Sequence, residues 1–295
     1  MKAVFTLVAA ATIAAVGMPT YAADTLSQVT ANNKITVAYR ESSIPFSYLA
    51  GSSKPIGFAV DITNAIVDAV KKQTNKPNLD VGWQAVTSAN RIPLLENGTI
   101  DLECGSTTNN TARGKQVDFA INHFYTGTRL LVKADSGIKN WSDLKGKTIA
   151  VTAGTTNVLV VRKYSDEHNL DITIQNPKDH ADSALLVEAG RVSGFAMDDI
   201  LLFGLRSNSK DPNSLAVVAD ALQVEPYACM IRKGDTNFKK LVDDTIIGLM
   251  KSGEFAKMYD KWFMQPIPPT NRAIDLPMNQ ELKDNIAHPS DKPAT

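Results

Sequence analysis

Two hydrophobic periods alternate along this chain, first between residues 34 and 104 and again between residues 148 and 219. Residues 34–40 (KITVAYR) alternate polar and apolar with β-branched members, as a strand does. Residues 57–72 place Ile62, Ala65, Ile66, Ala69 and Val70 at helical spacing. A strand over 79–86 follows, then a helix capped by Thr87 or Ser88 with Pro93 in its first turn, then a short strand over 99–104. The second series predicts strands at 148–152, 171–175, 192–197 and 215–219. Its helices run from the 153–156 turn to about 168, over 182–190, and over 200–207 behind Asp198 or Asp199. Strand–helix–strand order points to two α/β units, each a mostly parallel sheet flanked by helices.

A β run over 124–134 and a short helix capped by Ser142 join the units. Residues 225–232 (EPYACMIR) read as β-like, and helices over 238–251 and 254–263 follow. Residues 24–33 read as a loose polar leader, and the tail beyond 266–269 reads as extended. The start of the chain carries Lys2, an apolar run over 3–18 and a small residue at Ala22, which predicts a cleaved signal peptide over 1–22. The alternative is an uncleaved anchor or a lipoprotein.

The chain has 31 basic and 31 acidic residues, and losing Lys2 with the leader leaves the mature form about one unit negative. That balance disfavours non-specific nucleic-acid binding. The histidines at 123, 168, 180 and 288 lack metal-ligand spacing, and neither a metal nor a cofactor is expected. Cys104 and Cys229, in an exported chain, are expected to form a disulfide; two buried thiols are the other option. If they pair, the chain leaves one domain after Cys104 and returns beside its exit. The expected lobes are then 24–124 with 222–295, and 125–221, joined by a two-strand hinge with a ligand cleft between them.

Ligands of open α/β sheets sit beyond the carboxyl ends of the strands. Arg40, Ser88, Arg91, the Ser106–Thr108 segment, Thr155, Thr156, His180 and Asp198 all fall there, and Arg113 closes the polar stretch DLECGSTTNNTAR at 101–113. Converging Arg40, Arg91 and Arg113 would repel one another unless they share anions. One carboxylate cannot fill three forks, but two can. The turn at Thr155–Thr156 opens a helix and offers free N–H groups, while Asp198 suits an ammonium. Two carboxylates and one ammonium describe an acidic amino acid. Each residue also has a plainer reading: solvated arginines, Asp198 as a helix cap, His180 as a surface or internally satisfied side chain.

The segments RESSIPFSY (40–48), NRIPLLENGT (90–99), DLECGSTTNN (101–110), GTRLLVK (127–133), AGTT (153–156), KDHADS (178–183), MDD (197–199) and DKWFMQPIPP (260–269) carry a resemblance across the mature chain. It resembles the periplasmic solute-binding proteins of ABC amino-acid importers (solute-binding protein family 3), in particular the glutamate/aspartate-binding members. The resemblance implies the type II two-lobe fold, a periplasmic and monomeric protein, and delivery of L-glutamate or L-aspartate to an inner-membrane permease and its ATPase. It also implies roles. Arg113, Thr108, Thr155 and Thr156 would hold the α-carboxylate. Asp198 and Ser106 would take the ammonium. Arg40, Ser88, Arg91 and His180 would take the side-chain carboxylate. NVLVVRK, after AGTT, is less polar at its start than the family pattern. Two alternatives stay open. A dehydratase-like enzyme could use this scaffold, although no second carboxylate or free histidine is read as poised for acid or base work beside the site. A sensory ligand-binding domain is the other.

Overall fold

A computed structural model describes residues 24–294; the expected signal peptide, 1–22, lies outside the described residues. The described chain opens with helix α1 (Thr25–Asn32), where a loose leader was expected. Asp24 caps it by accepting from the Leu26 N–H at 3.1 Å. Buried Thr25 anchors it, donating its backbone N–H to Asp235 at 2.8 Å. That partner lies far along the chain, so the local polar pattern gave no hint of it.

The first unit continues through β1 (Lys34–Tyr39), the short hairpin β2 (Ser42–Ser43) and β3 (Ser47–Tyr48), α2 (Phe58–Thr74), β4 (Asp80–Ala85), α3 (Arg91–Glu96) and β5 (Leu102–Glu103). Asn90, rather than Thr87 or Ser88, occupies the cap position of α3. Strand β6 (Val117–Lys133) starts earlier than the sequence pattern suggested. The second unit holds β7 (Thr148–Ala150), α4 (Asn157–Glu167), β8 (Thr173–Gln175), α5 (His180–Glu188), β9 (Phe195–Asp198), α6 (Asp199–Asn208) and β10 (Leu215–Val218). Then come β11 (Val224–Arg232), α7 (Thr236–Ser252), α8 (Glu254–Tyr259) and α9 (Gln280–Ala287). The tail is therefore not extended throughout. Asn279 caps α9 by accepting from Leu282 N–H at 3.0 Å, and Leu282 and Asn285 are buried.

The strands line up as β4-β1-β5-β11-β6-β9-β7-β8, with β10 against β6. Within the first lobe β1 runs parallel to β4 and β5; within the second β7 runs parallel to β8 and β9. β6 and β11 run antiparallel to each other between these two parallel sets. β6 belongs to both, pairing β11 over 117–127 and then β9 and β10 over 128–133. Its side chains serve two cores. Phe124 packs edge-on to Phe46, with ring centroids 4.9 Å apart, in the aromatic core of the first lobe. Leu130 and Val132 pack with Trp141, Leu144, Ile149 and Val161 in the second. The expected lobe boundary at 124/125 falls inside β6, and the one at 221/222 falls just before β11.

Two glycines show how closely the lobes approach. A Cβ on Gly204 would lie 2.3 Å from the Ile44 carbonyl oxygen, and one on Gly154 would lie 2.5 Å from Ala89 Cα. Only a residue without a side chain fits at either contact.

Cys104 and Cys229 form a disulfide, tying the end of β5 to β11. Their separation of 125 residues closes a long loop, worth about 4–5 kcal/mol in the chain-entropy account. Replacing both cysteines by serine should lower stability by a comparable amount in reversible denaturant unfolding. An unchanged midpoint and slope would contradict this role.

Candidate functional site

The strand ends of both lobes meet face to face. β1 delivers Arg40, β4 leads to Ser88 and Arg91, and β5 leads to Ser106 and Thr108. Across the gap β7 leads to Thr156, β8 to His180, and β9 ends at Asp198. The structure thus brings residues of the two groups together across the lobe interface: Arg40 with His180, Thr108 with Thr156, and Arg113 with Gly154.

Arg40 is fully buried and Arg91 nearly so, at 0% and 2% exposed. Arg40 Nη2 lies 3.3 Å from His180 Nε2 and 3.9 Å from an Asp179 oxygen. Its Nε and Nη1 have no hydrogen-bond partner among the described residues. Arg91 donates from Nη1 to the Ser106 carbonyl at 3.2 Å and lies 3.9 Å from Glu103, while its Nε is unpartnered. The Ser88 hydroxyl is buried and unpartnered too. Buried donors left unpaired cost roughly 1–3 kcal/mol each, more when charged. Burial, and then the neighbouring Arg91 charge, lower the Arg40 pKa to about 10.

His180 is neutral here, and its tautomer follows from its neighbours. Its Nε2 faces a guanidinium, which can only donate, so Nε2 accepts. The proton then sits on Nδ1, which reaches the Thr152 hydroxyl at 3.0 Å. Burial first, then Arg40 and Arg91, hold its pKa well below the usual histidine range. The surface reading of His180 is thereby replaced: it is 1% exposed.

Arg113, half-buried, spans the two lobes. Its Nη1 donates to the Thr108 carbonyl at 3.0 Å and its Nη2 to the Gly154 carbonyl at 3.2 Å. Thr156 faces the cleft, its hydroxyl 3.5 Å from that of Thr108. The Thr155 hydroxyl turns away and donates to the Thr152 carbonyl at 2.8 Å. The Ser106 hydroxyl lies 3.3 Å from the Ser43 hydroxyl.

Asp198 occupies the cap position of α6, but its carboxylate makes no capping bond. Asp199 meets that need, accepting from Ile200 N–H at 2.7 Å and from Thr126 at 2.6 Å. Asp198 instead accepts from Asn157 Nδ2 at 3.0 Å and from the Tyr227 hydroxyl. Burial, and then the adjacent Glu225 charge, push its pKa up to about 8.

Asn157, Glu225 and Tyr227 also reach this interface and were not among the sequence-predicted residues; Glu225 is a second carboxylate near Asp198, with both oxygens engaged in hydrogen bonds. All three are fully buried. Glu225 and Tyr227 lie two apart on β11 and so share a face, a signal present in the strand pattern. What that face meets was not readable. Asn157 opens an otherwise apolar run, and its burial comes from bonds to Asp198 and Thr128. Among the described residues no group of His, Cys, Asp and Glu is placed to hold a metal ion.

Residues 35–265 match the sequence model of the family described as bacterial extracellular solute-binding proteins, family 3. The chain belongs to this family. It is 47% identical over 271 residues to the glutamate/aspartate import solute-binding protein of Salmonella typhimurium, covering 92% of this chain and 90% of that one. Identity and coverage are the same against the L-glutamate/L-aspartate-binding protein of Pseudomonas aeruginosa. Those names describe binding and import, not catalysis. Among solved structures, an ancestral arginine-binding protein bound to arginine matches with a TM-score of 0.69 at 26% identity, over 78% of this chain and 98% of that one. A substrate-binding protein of an ABC uptake transporter from Streptococcus pneumoniae, with bound histidine, shares the fold with a TM-score of 0.73 at 22% identity, over 82% and 97%. These neighbours are two-lobed amino-acid-binding proteins of the type II fold, the class expected from the sequence.

The raised pKa of Asp198 has a measurable consequence. In this arrangement of the lobes its carboxyl keeps a proton below about pH 8; an ammonium set against it, the role the resemblance gives Asp198, would require the carboxylate. If a guest ammonium meets Asp198, its uptake should expel a proton, and affinity should climb from about pH 6 to about pH 8 by up to tenfold per unit. Calorimetry in buffers of different ionisation enthalpy reads this directly. Heat independent of buffer across that range would contradict it.

Proposed function

We propose that this chain captures L-glutamate or L-aspartate between its lobes in the periplasm and delivers it to an inner-membrane ABC permease powered by its ATPase. The observation that carries the reading is the set of buried, unpartnered donors on Arg40, Arg91 and Ser88. A carboxylate guest is the chemistry that satisfies several guanidinium donors at once. Relatives at 47% identity are named for these two ligands, which supports the same choice here.

In this reading the side-chain carboxylate meets Arg40, Ser88 and Arg91. His180 accepts from Arg40 and so keeps its fork oriented. The α-carboxylate meets Arg113, the Thr108 segment and the Thr155–Thr156 turn. The Thr155 hydroxyl and backbone N–H are both directed to the Thr152 carbonyl, at 2.8 and 3.4 Å, so Thr156 carries the turn's part in this contact. The ammonium meets Asp198, with Ser106 beside it.

Capture and closure are separate steps. The lobes, 24–124 with 222–295 and 125–221, move about β6 and β11, and the protein works as a monomer. Arg40, Arg91 and Arg113 belong to the first lobe and take the guest. Asp198, Thr156 and His180 belong to the second. Only contacts made in the closed form shift the equilibrium toward it, so the second set determines how long the guest stays.

Arg91→Met tests the side-chain assignment by calorimetry on ligand-stripped protein. Loss of a charged hydrogen-bond donor should cost roughly 10- to 100-fold in L-glutamate affinity. The loss for L-glutamine should be several-fold smaller, because an amide leaves less charge to compensate. Equal losses for the two would remove Arg91 from that role. Wild-type protein that ignores dicarboxylic amino acids would overturn the function itself.

A further inference from the structure

Glu225 sits where both lobes meet the crossing strands, and its side chain is fully buried. Its Oε2 accepts from the Thr108 hydroxyl at 2.5 Å, on the loop after β5, and from the Thr156 hydroxyl at 2.8 Å, at the turn before α4. Its Oε1 accepts from Gln223 Nε2 at 2.5 Å, so both oxygens are engaged. The loop bearing Thr108 is also held to β11 by its backbone. Asn109 N–H donates to Pro226 at 2.8 Å, and Ala228 N–H donates to Thr107 at 3.1 Å. Thr108 is therefore fastened to the crossing strand by several bonds. Thr156, on the second lobe, meets that strand through the Glu225 carboxylate. A carboxylate buried with hydroxyl and amide partners costs several kcal/mol unless a nearby cation shares its field. Arg113, which bridges the lobes, lies within Coulombic reach of it.

We propose that Glu225 is a positioning residue for lobe closure, holding one hydroxyl from each lobe on a single carboxylate oxygen and so slowing release of the guest. It does not touch the guest; it acts through Thr108 and Thr156. The proposal rests on the ligand reading above for its kinetic readout, and on the fold alone for its structural one.

The kinetic test is stopped-flow with L-glutamate on the full, ligand-stripped chain. Glu225→Ala should speed dissociation roughly 10- to 100-fold, the weight of hydrogen bonds to a charged group. Association should stay within about threefold, because capture occurs on the first lobe. Glu225→Gln should recover most of the loss, since its amide oxygen can still accept both hydroxyls. Thr156→Val should speed dissociation in the same direction, and combining it with Glu225→Ala should add little beyond either change alone. Unchanged dissociation in Glu225→Ala, or losses that simply add, would overturn the proposal. Should Glu225→Ala fail to fold, Thr156→Val in the ligand-free distance measurement below decides the same bond, because no guest contact contributes there.

The second arm needs no ligand. Spin labels at exposed Lys72 and Leu159, one on each lobe, report the interlobe distance in ligand-free protein. Glu225→Ala should move the distribution toward longer distances, and an unchanged distribution would overturn the role. If wild-type protein fails to bind L-glutamate, the ligand reading falls while this arm still decides Glu225.

Discussion

Two guanidinium groups, on Arg40 and Arg91, are buried beyond the strand ends of the first lobe without a close carboxylate of their own. Each has an acidic neighbour, but at 3.9 Å, longer than a charged hydrogen bond. Burying a cation is expensive unless it is paired and hydrogen-bonded. The rest of the cleft can be understood as the surroundings that make this tolerable. His180 stays neutral and accepts from Arg40, the Ser106 carbonyl accepts from Arg91, and the remaining donors stay available. A packed core would not keep such groups, and a solvated surface would not bury them. A binding cleft accounts for both features.

The same arrangement draws on both lobes. The cations come from the first lobe, while Asp198, Thr156 and the acceptor face of His180 come from the second. Glycines at 154 and 204 let the two approach to backbone contact. Between them run β6 and β11, and β11 carries on one face both Glu225 and Tyr227, which reach the threonine pair and Asp198 respectively. The strands that connect the lobes thus also hold polar side chains that border the proposed site.

Much of this was legible in the sequence because the two periods are clean. The strand of β1, the face of α2 and the second strand–helix series follow from them, and residues just past strand ends are the ones a sheet of this kind offers to a ligand. Other features depended on partners far away in the chain. The polar stretch at 24–33 folds as α1 because Asp235 waits for Thr25. Asp198 holds the cap position of α6, yet its carboxylate turns to Asn157 and Tyr227, while Asp199 accepts from the Ile200 N–H. Thr155 and Thr156 are indistinguishable by composition, yet one turns inward and the other faces the cleft. Glu225 belonged to a segment legible only as a strand, since nothing local says which face meets the threonines.

The central claim is that a dicarboxylic amino acid completes the buried cations. A crystal structure of ligand-stripped protein reloaded with L-glutamate tests it most directly. The account predicts one carboxylate bonded to Arg113, and the other bonded to the Arg40 and Arg91 donors that now lack partners. Electron density for glutamate elsewhere, or Arg40 and Arg91 turned to solvent or to their own acidic neighbours with the guest bound, would contradict it.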